Sequence, residues 1–459
     1  METNFQRILD AVPDYQVFLT VDELDASSRA LAEEYPDTVT LFEAGRSRKG
    51  HPILCLKIGD GPRNALCYAC PHPNEPIGAM TMEAFARILA EDKALRDRLG
   101  FTWYIIKCVD PDGVRLNEAW FKGPFSLTNY IRNFYRPAFN EQVEWTFPVE
   151  YKSYRFDRPL PETRALMNII DQHKPAFIYS LHNAGFGGAY WYISHDIPEL
   201  YEPFRNAARK QNVPLFYGEP EAPFIQMFAP NIYKFFGLQE HYDYMEQTTG
   251  QAPAFNHGTS CGIYARTKAE CITLLTELPY FTHPNIQDHS ETDMTSREVL
   301  LKGADLAEAL YAQMAGYLSG FRSCISEDNP FIRLVDEMIG MWKESGPAMR
   351  QWASSNPELD RPAPVSLVFD SLTVRKFYMG LMQGMAVRAC LFELERADRG
   401  EAYAVLKNAC DEGEARLNAL CEELEQELDY AVVPIRNLVS IQLESGLLVA
   451  DHMAKNWKP

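Results

Sequence analysis

The sequence predicts an α/β fold, a sheet covered by helices on both faces, followed from about residue 323 by a mainly helical region. Three observations predict it. Short runs rich in β-branched and aromatic residues alternate with longer amphipathic runs of helical period. The strand-like runs end at Gly- or Pro-containing turns, as in "LKIGDG", "CVDPDG" and "SLHNAGFGG". Beyond residue 322 such runs almost vanish, leaving stretches like "GEAYAVLKNACDEGEARLNALCEELEQELDYAV". The expected division is therefore 1–322 for the α/β domain and 323–459 for a helical appendage.

Taken in order, residues 1 to 35 read as two short helices, the second opening on a capping box from Thr20 to Glu23. "TVTLFEAGRSRKGHPILCLKIGDGPRNALCYACP" reads as three consecutive strands. "GAMTMEAFARILAEDKALRDRL" carries an apolar face at helical spacing, and "FTWYIIKCVDPDG" is a buried strand running into a turn. "PETRALMNIIDQHKP" is a helix stopped by Pro175. "AFIYSLHNAGFGGAYWYIS" is a strand, a glycine loop and a second strand, and "ECITLLTELPYF" is another buried strand. "TSREVLLKGADLAEALYAQMAGYL" is a long helix with Thr295 or Ser296 as N-cap.

The chain has 459 residues and a formal net charge of −19, from 63 acidic and 44 basic side chains. That balance excludes nucleic acid as the main partner, because phosphate binding needs a basic surface. No run of 18 apolar residues is present, so no membrane span is expected. "METNFQRILDAVPDYQ" lacks the basic and apolar segments of a secretory signal, and the ten cysteines lie in apolar stretches such as "ILCLKIG". Reduced, buried cysteines and a cytoplasmic location are the expectation.

The stretch "ACPHPNEP" offers two metal-binding patterns. Cys67, Cys70 and His72 would make a corner of a closed structural zinc site, but no second short-spaced pair completes it. Cys67 and Cys70 also fall at odd spacing on one strand, which directs them to opposite faces. Alternatively, His72 and Glu75 are ligands three residues apart in a turn beyond a strand end, where α/β folds place their sites. His182 stands at another strand exit and supplies a third ligand. Any one of these residues alone is more often a surface or core group; three at strand exits are harder to dismiss. Glu277 closes an apolar strand, where a carboxylate is costly unless it has a task, and a metal-bound water needs a base beside it.

His72-x-x-Glu75, "PDG" at 111–113, "RNF" at 132–134, "SLHN" with His182, and "TELPYF" follow one another as in the zinc metallocarboxypeptidases of the M14 class, and "GRSRKGHPI" resembles that family's strand pair before the first ligand. The resemblance covers about residues 15 to 322. It implies a mixed, eight-stranded-type sheet and one zinc ion per chain held by His72, Glu75 and His182. It further implies Glu277 as general base, Arg115 as the group that steadies the oxyanion, and Arg132 as the grip on the substrate's carboxylate. Two departures are visible: Ile131 stands where the family usually has asparagine, and the family's mobile tyrosine has no clear counterpart. Tyr264 lies close to Glu277 in sequence, and His257 or Phe255 falls in that region instead. Glycines 185, 187 and 188 let backbone approach a ligand, and Asn183 is a candidate substrate-binding donor.

The resemblance implies a zinc carboxypeptidase acting on peptide C-termini. The alternative is a zinc amidase or deacylase on N-acyl amino acids or cell-wall-derived peptides, kept open by Ile131. A metal-free binding protein is the third class, against which the intact ligand set and base argue. Residues 323–459 lack a paired ligand motif and carry apolar helical faces, notably "VVPIRNLVSIQLESGLLVADHMAKNW". Those faces must pack on the catalytic domain or on a second subunit, and a homodimer is the favoured expectation.

Overall fold

A computed structural model describes residues 5–217 and 221–456. The central sheet is built from β1 (Val39–Arg46), β2 (Pro52–Ile58), β3 (Arg63–Ala69), β4 (Phe101–Ile106), β5 (Phe177–Leu181), β6 (Tyr190–Ile193), β7 (Met227–Ala229), β8 (Ile232–Lys234) and β9 (Ile272–Glu277), in the order β1-β2-β4-β3-β5-β9-β6-β8-β7. Its pairings are mixed, and it has nine described strands against the eight-stranded type expected. The two strands not read from the sequence are the short antiparallel pair β7–β8 at one edge, a segment too short and irregular to carry a clear two-residue alternation.

The middle of the sheet positions the site. β4, β3, β5 and β9 are mutually parallel, with Cys67 opposite Tyr179 and Leu181 opposite Thr276. β3 and β5 are buried on both faces, which explains why they read as near-continuous apolar runs. On one face, Ile53, Leu66, Tyr104, Leu166, Ile170 and Ile178 form a core with the Pro161–His173 helix. On the other lie the Ile77–Glu91 helix and the last helix, Ile435–Asn456.

The chain divides into two compact units, one of residues 1–121, 139–280 and 433–459, the other of residues 122–138 and 281–432. This partition differs from the 1–322 and 323–459 division expected from sequence. The physical reason is clearest for Ile435–Asn456. Its residues Leu438 to Leu447 are all buried, against the Ile77–Glu91 and Pro198–Lys210 helices and against β5 and β9. The apolar stretch that favoured a homodimer is thus covered by the chain's own first unit. Gly446 permits the approach: a Cβ there would lie 2.8 Å from the Tyr179 ring.

The second unit is helical. It contains the helices Ser296–Ser319, Ile332–Ser355, Arg375–Arg396 and Glu401–Glu427, together with Leu127–Asn133. Thr295 caps the first of these through a full capping box with Glu298, and Thr20 does the same with Glu23 for the helix Val21–Glu34 in the other unit.

Candidate metal centre

Three parallel neighbours, β3, β5 and β9, deliver their C-terminal ends to one edge of the sheet. His72 and Glu75 lie in the turn beyond β3, His182 is the residue after β5, and Glu277 is the last residue of β9. Adjacent strands sit about 4.8 Å apart, so side chains leaving such ends converge without any further device. His72, Glu75 and His182 are buried, and one ligand atom from each lies within 4.8 Å of the others. Among the described residues this is the group of three or more His, Cys, Asp or Glu able to hold a metal; Cys67 and Cys70 are not part of it.

The contacts show where the atoms point. His72 Nδ1 lies 3.1 Å from Glu75 Oε1, His182 Nδ1 lies 3.1 Å from Glu75 Oε2, and the two Nδ1 atoms are 3.1 Å apart. Two imidazole nitrogens and both oxygens of a carboxylate thus face one point. Such lone pairs repel unless a proton or a cation stands between them, and two nitrogens with one carboxylate are a donor set zinc accepts. Burial pushes the Glu75 carboxyl up, but the facing His72 and His182 outweigh it and hold it well below the usual carboxylate range. The residues fit the metal. Glu277 Oε1 stands 3.9 Å from His182 Nδ1, near enough to serve a small molecule at the same point.

The backbone around the ligands is pinned. The His182 amide donates to Thr276 O, and its carbonyl accepts from Gln442 Nε2 at 3.0 Å. Gln442 also accepts from Thr81 Oγ1, and its own carbonyl accepts from Tyr179 Oη. The Asn183 amide donates to Glu75 Oε2. Asn183 Nδ2 donates to Leu278 O and its Oδ1 accepts from Tyr280 Oη, so both ends of that side chain hold the exits of β5 and β9 together. Tyr280 Oη lies within reach of Asn74 O as well, tying the β9 exit to the ligand turn. In the "PDG" turn, Asp110 Oδ1 accepts from the Gly113 amide, and a Cβ on Gly113 would fall 2.7 Å from Pro73. Glycine is required there because the ligand turn packs directly onto it.

The two arginines belong to different units. Arg115, at the end of the short helix Pro111–Arg115, is partly exposed and pairs with Asp22 at 2.6 Å. Arg132 belongs to the second unit, where Glu414 and Asn418 hold its guanidinium. Its neighbour Ile131 is fully buried there; a Cβ on Gly384 would lie 2.2 Å from the Ile131 carbonyl. An apolar residue at 131 is therefore explained by packing. Tyr264 donates to the Asp171 carboxylate, and His257 lies among Trp145, Phe255 and His241. Glu277 faces Tyr190, its cross-strand partner on β6, and acts electrostatically on Tyr192 as well; burial, then Glu221 and Glu277, push both phenols up, so they stay protonated.

Glu144 was not singled out from sequence. It is buried in the turn Val143–Trp145, accepts from Tyr68 Oη at 2.7 Å, from Ser180 Oγ and from the Cys261 amide, and burial pushes its carboxyl up. Nothing local in "QVEWTF" marks it; its partners come from three distant segments.

A family model described as zinc carboxypeptidase matches residues 24–216. The zinc carboxypeptidase A 1 of Anopheles gambiae is 29% identical over 128 residues, covering 24% of this chain and 29% of that protein. Among solved structures, carboxypeptidase A from Helicoverpa armigera aligns over 57% of this chain and 65% of its own, at 16% identity and TM-score 0.39. The murein-tripeptide amidase MpaA from Escherichia coli O157 aligns over 58% and 89%, at 19% identity and TM-score 0.28. The chain thus spans less than a third of the curated relative it matches. No helix among the described residues is long and apolar enough to cross a membrane. The segment matched by the zinc carboxypeptidase family model, residues 24–216, carries His72, Glu75 and His182.

Proposed function

We propose that the protein is a zinc-dependent hydrolase that removes the C-terminal residue of a peptide, with His72, Glu75 and His182 as the metal ligands and Glu277 as general base. The observation that carries the proposal is the convergence of those ligand atoms and of Glu277 at the ends of β3, β5 and β9. Bound zinc would polarise the scissile carbonyl and acidify a water molecule. Glu277 Oε1 is the base that would take a proton from the attacking water and return it to the leaving nitrogen. Arg115 is the cation assigned to the oxyanion, its guanidinium turning from the exposed Asp22, a surface pair of little net strength. Arg132 is assigned to the substrate's carboxylate, a task for which it must exchange Glu414 for substrate. Asn183 acts by holding Leu278 and Tyr280 rather than by donating to substrate.

A second reading, an amidase or deacylase on N-acyl amino acids or cell-wall-derived peptides, is favoured by one observation: Arg132 is already ion-paired and Ile131 is packed away. The test measures bound zinc and the hydrolysis of matched peptides with free and amidated C-termini. About one zinc per chain with a strong preference for free carboxylates supports the carboxypeptidase. Equal cleavage of both supports the amidase, and absence of bound zinc overturns both. The location proposed is the cytoplasm, on the burial of cysteines such as Cys55, Cys67, Cys261 and Cys271.

A further inference from the structure

We infer that Ser180 and Glu144 form a buried proton-fixing relay that positions His182 as a metal ligand; this rests on the zinc site proposed above. His182 offers Nδ1 to the ligand cluster, while its other nitrogen, Nε2, lies 2.7 Å from Ser180 Oγ. Ser180 Oγ lies 3.3 Å from Glu144 Oε2. All three side chains are buried, so no solvent competes for these bonds.

Proton counting sets the direction. Glu144 receives the Tyr68 hydroxyl on Oε2 at 2.7 Å and the Cys261 amide on Oε1 at 3.3 Å. As a carboxylate it can only accept, so the single proton of Ser180 goes to it. The Ser180 oxygen is then left to accept; the nearby Tyr68 hydroxyl commits its hydrogen to Glu144, so the hydrogen that reaches Ser180 is the one on His182 Nε2. A proton fixed on Nε2 leaves the lone pair on Nδ1, the nitrogen that faces His72 and Glu75. The ring cannot turn over without breaking the bond to Ser180.

The placement of Ser180 is dictated by the strand. Residues two apart on β5 share a face, so a residue at 180 lies beneath the ring at 182. Glu144 comes from elsewhere, a turn held to the 258–261 segment by Gly258 N to Trp145 O and by the Phe147–Thr259 bridge. A carboxylate serving only to hold that turn would need Cys261 and Tyr68; it would have no use for Ser180. Ser180 and Glu144 are positioning residues in this scheme, because neither touches the metal or the substrate.

The test is a double-mutant cycle on zinc affinity in the full-length protein, read by competition with a chromogenic chelator. Ser180→Ala and Glu144→Gln should each weaken zinc binding by roughly 10- to 100-fold, the usual cost of losing an outer partner of a metal-bound histidine. Because Glu144 acts through Ser180, the double variant should bind zinc no more weakly than the poorer single variant. Ser180→Thr, which keeps the hydroxyl, should retain most of the affinity. Native affinity in both single variants overturns the relay. So does a double variant whose loss is the product of the two single losses, since Glu144 would then act independently through its turn. Should Ser180→Ala fail to fold, Glu144→Gln against Ser180→Thr carries the same decision: an unmoved affinity in Glu144→Gln rejects the relay. A native protein without zinc overturns the site itself; a zinc-binding native protein with unmoved variants overturns the relay alone.

Discussion

Glu277 has the simplest prediction. Its glutamine variant keeps the shape of the β9 exit but cannot take a proton from water, so turnover should fall by about 10²- to 10⁴-fold while zinc content stays native. Metal analysis beside a peptidase assay checks both halves, and a fully active variant would move the base elsewhere. Asp110 makes a prediction about pH. Burial, opposed by the nearby Arg48 and the Gly113 amide, pushes its carboxyl up to about 6. The folded state therefore holds this proton more tightly than the unfolded chain, and stability is lost as pH rises from about 4 through about 6. Asp110→Asn keeps the cap to Gly113 and removes the ionisation. It should be more stable than the native chain at pH 7, by up to about 3 kcal/mol, with the difference gone near pH 4. Urea midpoints at four pH values between 4 and 7 would show it. His72, Glu75, His182 and Glu277 were all legible in the sequence because each closes an apolar run at a turn, a purely local signature. Glu144 and Ser180 were not, since their meaning lies in contacts made across long stretches of chain.

At the scale of elements, the strands β1 to β6 and β9 were readable from two-residue and continuous apolar patterns, the Thr20–Glu23 capping box was visible as Thr-x-x-Glu, and of the two N-cap candidates Thr295 and Ser296 the structure uses Thr295. The last helix was recognised as a helix but not as a wall of the metal centre. The signal was Gln442, a polar residue inside the run "LVSIQLESGLLVA", where an amide is expensive unless bonded. Gln442→Leu preserves volume but leaves the His182 carbonyl and the Thr81 hydroxyl without this partner. It should cost about 1–3 kcal/mol of stability and speed zinc loss to a chelator. A variant as stable and as slow to lose metal as the native chain would show that the helix merely covers the sheet. The "PDG" turn makes a parallel case. Gly113→Ala drives a methyl group into Pro73, one residue from the first ligand, so zinc affinity should fall at least tenfold even if the fold survives. Equilibrium dialysis against zinc buffers reads this directly.

For the whole molecule, the division at residue 322 was drawn from texture, strands before and helices after, and texture does not say which unit a helix joins. Apolar content did say that Ile435–Asn456 must be buried; it could not say against what. Deleting residues 325–459 should therefore not leave a protein able to bind zinc, as a detachable appendage would. It should strip the cover from β5, β9 and the Ile77–Glu91 helix and give aggregated material without bound metal. Size-exclusion chromatography with metal analysis distinguishes the outcomes, and a soluble, zinc-binding truncation would restore the appendage.

The order in which the first unit collects its parts bears on how the protein is made. Its first two segments end at residue 280, and its third does not begin until 433. A ribosome that has finished the ligands and Glu277 must still translate more than 150 further residues before Gln442 emerges to meet the His182 carbonyl. During that interval the nascent sheet presents a bare apolar face, a natural target for a holdase chaperone. The cover over the strands that carry the ligands is thus completed only once residues 433–456 have been made.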